Sequence, residues 1–167
     1  MNLTSTYIGN VGGEGMIRLR IPSKDDLHLY RIIIKRLLPK TRIAQPKLSL
    51  GKKAVYLRLK KSKVFVSVRE GKPPFGFISL KVVKNILIID LLAVEASAVN
   101  RGWGSRLMAI GERYGNGLGC SAVRLFVDQN NEHAIDFYKK KGYEILDYLP
   151  IIDCYLMQKK LTKQQKF

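Results

Sequence analysis

Val99-Asn100-Arg101-Gly102-Trp103-Gly104-Ser105-Arg106-Leu107-Met108 and, one strand later, Asn131-Glu132-His133-Ala134-Ile135-Asp136-Phe137-Tyr138-Lys139-Lys140-Lys141-Gly142-Tyr143 are the stretches that decide how this chain is read. The first follows an apolar run, Ile86–Val94, that reads as a buried strand, and its glycine-bearing turn leads into a helix. Amides at a helix start have no partner in the helix ladder, and the helix dipole favours negative charge beside them. The turn is therefore an anion cradle, with Gly102 and Gly104 placed to let a phosphate reach the main chain without an intervening Cβ. Each motif alone is weak evidence. Their order, with the strand at 122–127 between them, is much stronger.

On these residues the chain resembles the GNAT superfamily of acyl-CoA-dependent N-acetyltransferases. That family binds the pyrophosphate of coenzyme A with a Gln/Arg-x-x-Gly-x-Gly/Ala loop and carries Asn-x-x-Ala-x-x-x-Tyr-x-x-x-Gly-Phe/Tyr downstream. Here the second element is complete in Asn131, Ala134, Tyr138, Gly142 and Tyr143, while the first has Val99 where Gln or Arg is usual. The clear resemblance covers residues 64–161, and 16–38 fit the opening strand and helix more loosely. It implies an α/β (α+β) domain, a central mixed, mostly antiparallel sheet with helices on both faces. The cofactor is expected where the strands at 86–94 and 122–127 splay.

The resemblance also implies site residues. Leu92, Val94, Val99, Asn100, Arg101, Gly102, Trp103, Gly104 and Ser105 are expected to hold acetyl-CoA, the 101–105 amides taking the pyrophosphate. Asn131 is expected on the pantetheine arm, beside its role as a helix cap. Val99 removes one polar side chain from the loop but no amide, and Arg101 and Arg106 can compensate through charge. Tyr138 is the general acid carried over from the family: a phenol of ordinary pKa about 10 is protonated at neutral pH and can donate to a departing sulfur.

Asp90 interrupts an apolar strand, where a carboxylate must be paired, marginal or functional because an unpaired buried charge is expensive. Burial would raise its pKa toward the range of a base, and the family often places an acid on this strand, so Asp90 is the candidate base and Glu95 the alternative. Ribosomal-protein N-terminal acetyltransferases carry an acid on the next strand, where this chain has Phe126, which weighs against N-terminal protein acetylation. His133 falls in a variable position of the second motif and is expected on the surface. No cluster of His, Cys and Asp suggests a metal.

Composition bounds the rest. The 167 residues suit one domain with a substantial core. They divide into a loosely ordered segment at 1–15, a single domain at 16–161 and a basic tail at 162–167. No apolar run reaches the roughly 18–20 residues of a membrane span. The N-terminus lacks a basic start and apolar core, and Cys120 and Cys154 form no framework, so a cytoplasmic protein with reduced thiols is expected.

Lys and Arg number 30 against 13 Asp and Glu, a formal charge of +17 that implies an anionic partner. Residues 31–63 contain no acid and twelve bases: Arg31, Lys35, Arg36, Lys40, Arg42, Lys47, Lys52, Lys53, Arg58, Lys60, Lys61 and Lys63. A solvated face explains this as well as contact with RNA, a ribosome or an acidic acceptor does. The activity expected is acetyl transfer to a primary amine of a small molecule or protein. The competing reading is a non-catalytic module of the same fold that binds RNA or ribosome. A homodimer is compatible with the family and marked by nothing in the chain.

Local patterns predict the remaining elements. Residues 17–21 alternate as a half-buried strand, and Ser23 is placed to cap a helix carrying Leu27, Tyr30, Ile34 and Leu37, which Pro39 ends. Residues 40–53 read as a loop or short irregular helix. Strands are expected at 55–59, 64–69 and 76–82, the last two joined as a hairpin through Glu70-Gly71-Lys72-Pro73-Pro74. The helix from Gly104 is expected to end at Gly115-Asn116-Gly117.

Overall fold

The structure, a computed structural model, describes residues 9, 10, 15–38 and 51–162. Of the segment at 40–53 read as a loop or short irregular helix, residues 40–50 lie outside the described residues and Lys52 and Lys53 open a helix; most of 1–15 and the tail beyond Thr162 also lie outside them. An eight-stranded sheet forms the centre, in the order β1-β2-β3-β4-β5-β6-β8-β7. Its strands are β1 (Gly9–Asn10), β2 (Met16–Leu19), β3 (Lys63–Val68), β4 (Gly76–Val83), β5 (Ile86–Val94), β6 (Ala122–Asp128), β7 (Glu144–Leu149) and β8 (Cys154–Lys160). Every pairing is antiparallel except β5 with β6. The helices are α1 (Pro22–Ile32), α2 (Lys52–Lys60), α3 (Trp103–Gly117) and α4 (Glu132–Lys140). No described helix is long and apolar enough to cross a membrane.

The period-two rule sorts the side chains of β3 onto two cores. Val64, Val66 and Val68 join Leu29 and Ile32 of α1 and Val55 and Leu59 of α2 on one face, with Phe77 and Ala93. Phe65 points the other way, into a larger core with Ile78, Leu80, Leu87, Leu125 and Met157, closed by Trp103, Leu107 and Met108 of α3 and Ile135 of α4. The mixed sheet with helices on both faces is the arrangement the sequence implied.

Four local readings differ. Residues 55–59 are helix, because Val55 and Leu59 stand one turn apart and are buried while Leu57 is exposed; alternating apolar residues in so short a run suit either period. The α1 N-terminus is at Ile21, with Pro22 at the first helical position, and the Asp25 carboxylate accepts the Ile21 amide at 2.7 Å, so Ser23 is no cap. α3 ends at Gly117, inside the expected stretch, but Gly115 lies within the helix. A Cβ at Gly115 would stand 3.0 Å from Leu87 Cδ2 and 3.3 Å from Leu161 Cδ1, so this glycine serves helix–sheet packing rather than termination. Within the segment expected to be loose, Gly9 and Asn10 pair with Ile17 and Met16 as an edge strand.

Candidate active site

The site is built on an interruption of the sheet. Against β4, the register of β5 runs from Ser79↔Leu91 to Leu80↔Ile89, which leaves Asp90 as the extra residue of a β-bulge. On its other edge β5 pairs with β6 only from Ile86↔Ala122 to Ile89↔Leu125, so the two strands part at the bulge. Beyond it, the Glu95 amide donates to the Phe75 carbonyl at 2.7 Å. Alternation in an antiparallel pair then turns the main-chain groups of Leu92 and Val94 away from β4, into the gap. The Val94 carbonyl accepts from Arg36 Nε at 3.0 Å.

The chain leaves β5 through a 3-10 turn, Ala96–Ala98, and enters α3 through two left-handed residues, Asn100 (φ 61°) and Gly102 (φ 78°). No atom lies within 4 Å of a Cβ built on Gly102, so the backbone conformation, and not space, is what calls for glycine there. A Cβ built on Gly104 would stand 3.4 Å from Phe137 Cζ, an ordinary van der Waals contact between α3 and α4. The Arg106 amide is the one bonded to the Gly102 carbonyl, at 3.0 Å. The amides of Trp103, Gly104 and Ser105 precede it and have no acceptor within the helix.

Leu92, Val94, Val99, Asn100, Gly102, Trp103, Gly104 and Ser105 line a cavity of about 390 Å³, closed by Ala134, Phe137 and Tyr138 of α4 and by Arg36 and Leu37. Of the residues predicted for the cofactor, Arg101 and Asn131 are outside this lining. Asn131 caps α4, its Oδ1 accepting the Ala134 amide at 3.4 Å. Trp103 is buried, edge-on to Phe75, with Arg106 stacked 4.6 Å from its ring. Arg106 Nη1 and Trp103 Nε1 are buried without a partner among the described residues.

Tyr138 lies at the cavity wall between Phe137 and Tyr143, and burial pushes its phenol up to about 12. It is therefore protonated throughout the physiological range. Behind it, the Tyr143 hydroxyl donates to Glu112 Oε1 at 3.0 Å, and Lys159 Nζ holds Glu112 Oε2 at 2.8 Å. Burial, reinforced by Glu112, raises the Tyr143 phenol as well.

The expectation that burial leaves Asp90 with a raised pKa is corrected. Burial does push it up, but Arg58 Nε and Nη2, at 2.8 and 3.0 Å, and Lys81 Nζ, at 3.1 Å, outweigh that and hold the carboxyl below its ordinary value. It does not line the cavity. Glu95 is half-buried at the end of β5, also outside the lining. His133 is exposed at the rim, on the first turn of α4.

Ala93, Ala98, Ala134 and Phe137 also line the cavity without having been predicted, but the lining residues farthest from any sequence signal are Arg36 and Leu37. They come from a π-helical turn, Ile33–Leu37, that continues α1. Such turns often mark functional sites, but nothing in the sequence signals this one, and Arg36 is one of twelve bases in an acid-free run.

A helix start with three open amides, an apolar wall and an unpaired strand edge together suit a ligand with a phosphate group joined to an extended, amide-bearing arm. The arm can use Leu92 and Val94 as an added strand would. Residues 30–143 match the Acetyltransferase (GNAT) family.

The chain belongs to the GNAT family of acetyltransferases.

In this GNAT domain the open strand edge and the glycine turn meet in one cavity with Tyr138. Among solved structures it is similar to the ribosomal-protein-S18-alanine N-acetyltransferase from Escherichia coli, at TM-score 0.72 and 18% identity over 89% of this chain and 94% of that one. It is also similar to the PaiA N-acetyltransferase from Thermoplasma acidophilum in complex with coenzyme A, at 0.66 and 18% over 86% and 98%. Ard1 from Thermoplasma volcanium matches at 0.68 and 25% over 89% and 98%. No curated protein sequence matches the chain.

Proposed function

We propose that this GNAT enzyme transfers the acetyl group of acetyl-CoA to a primary amine by direct attack. The observation that carries the reading is the meeting, in one cavity, of the open amides of 103–105, the β5 edge at Leu92 and Val94 that β6 leaves unpaired, and the phenol of Tyr138. Acetyl-CoA supplies the activated thioester. The 103–105 amides bind its pyrophosphate, with Arg106 adding a nearby charge, and the β5 edge orients the arm. Asn131 contributes by capping the helix that carries Tyr138.

As the amine nitrogen bonds to the carbonyl carbon and the carbon–sulfur bond breaks, Tyr138 gives its proton to the sulfur. With Asp90 held as a paired carboxylate, the proton lost by the amine passes to Glu95 through water. Arg36 at the cavity and the overall charge of +17 disfavour polycationic acceptors. Zwitterionic, acidic or nucleic-acid-associated amines are therefore the proposed class, and spermidine ranking first in a broad acceptor panel would contradict it.

Replacing Tyr138 by Phe, assayed by thiol release, is expected to slow transfer by about 100-fold or more with acetyl-CoA binding retained. Because the phenol titrates so high, kcat/KM of the unaltered enzyme should show no alkaline fall from this group below about pH 10. An undiminished rate in the Phe variant would remove the acid assignment.

A further inference from the structure

A second concavity, of about 720 Å³, lies beside α2 and is distinct from the acetyl-transfer cavity; Arg20, Asp26, Lys52, Lys53, Tyr56 and Lys60 are among its walls. The sequence of α2 divides its functions by face. Val55 and Leu59 go into the core, and Arg58 turns to Asp90. Lys52, Tyr56 and Lys60, spaced i, i+4 and i+8, form a single stripe along the groove, with Lys53 beside its first member.

The charges in this groove are unbalanced. Its one carboxylate, Asp26, is held by Arg20 Nε at 2.6 Å and Nη2 at 3.3 Å, and Arg20 Nη1 also donates to the Leu59 carbonyl. Lys52, Lys53 and Lys60 make no ion pair among the described residues. Three cations therefore face solvent, and a ring lies among them, Lys52 Nζ standing 5.8 Å from the Tyr56 centroid. Tyr30 braces that ring edge-on at 6.4 Å.

We infer that this groove binds single-stranded nucleic acid, with phosphates on Lys52, Lys53 and Lys60 and a base against Tyr56. Cations flanking an aromatic platform are what such ligands use, whatever their sequence. Lys52 and Lys60 are about 12 Å apart along the helix axis, too far for one phosphate group to reach both. A strand of several nucleotides can. An acidic peptide would use the lysines but has no need of the ring.

The test is anisotropy titration of the full chain with a labelled single-stranded RNA of about a dozen nucleotides, over a range of salt. The variant Lys52→Gln/Lys53→Gln/Lys60→Gln should bind at least about tenfold more weakly and lose about two from the slope of log K against log salt, roughly 0.7 for each phosphate contact. Tyr56→Leu should weaken binding about fivefold or more with the slope unchanged. Lys139→Gln/Lys140→Gln/Lys160→Gln removes the same charge elsewhere and should leave affinity within about twofold. Equal losses in the two triple variants would overturn the site in favour of general attraction to a basic surface. Polyglutamate or anionic vesicles binding as tightly as the RNA, through the same three lysines, would overturn the nucleic-acid assignment. Because the groove lies apart from the acetyl-transfer cavity, acetyl-CoA binding by each variant reports separately on the proposed activity.

Discussion

Replacing Asp90 by Asn removes one charge, keeps the shape, and leaves Arg58 and Lys81 without their shared counter-ion. The Asp90 carboxylate oxygens stand 2.8 and 3.0 Å from the Arg58 guanidinium and 3.1 Å from Lys81 Nζ. Breaking a fully buried pair costs about 3–5 kcal/mol, and an exposed one about 0–1 kcal/mol. Here the carboxylate is 13% exposed and both cations are 34% exposed, so solvent screening discounts the larger figure. The expected loss is about 1–2 kcal/mol at neutral pH, a fall of roughly 2–8 °C in Tm for a domain of this size.

The sign of the pH dependence follows from the lowered carboxyl pKa. Its stabilisation is complete above the unfolded value and disappears as pH falls through the folded one. Thermal melts of both proteins should therefore differ most near neutrality and converge in acid. Steady-state kinetics should show kcat reduced by less than about tenfold, whereas loss of a general base costs about 10²–10⁴-fold. A kcat lowered a hundredfold or more, with Tm unchanged, would refute the structural role given to Asp90 and restore it as the base.

Two glycines give contrasting predictions. Gly102→Ala has room for its methyl group but must adopt φ 78°, so a loss of about 1–2 kcal/mol in urea unfolding is expected, with weaker anion binding at the start of α3. An unchanged stability would show that the turn relaxes. Gly115→Ala keeps a helical backbone and gains propensity, yet its methyl meets Leu87 and Leu161; a net loss of about 1–3 kcal/mol is expected, and a rise in Tm would contradict the packing role.

Much of this fold was legible because its signals are local. Ile86–Val94 is bounded where the apolar run is bounded, and Asn131 caps α4 as its side chain suggests. The glycine turn was legible for the same reason, since the left-handed backbone at Gly102, just before α3, favours glycine. What escaped depends on tertiary contact. Asp90 interrupts an apolar strand because it is a bulge residue facing Arg58, 32 positions away, and no single-strand pattern shows that register. Residues 55–59 carry an apolar alternation that fits a strand, and packing of Val55 and Leu59 under α1 decides for helix. Arg36 reaches Val94, 58 positions away, from a π turn that leaves no mark in the sequence.

The central claim is that the α3 start and the open edge of β5 form an acyl-CoA site despite Val99. Calorimetric titration with acetyl-CoA, coenzyme A and ATP at physiological salt tests it most directly, ATP serving as the control for attraction to a basic surface. Saturable binding of acetyl-CoA and coenzyme A, with ATP much weaker, is the expected result. No binding, or equal binding of all three, would contradict it.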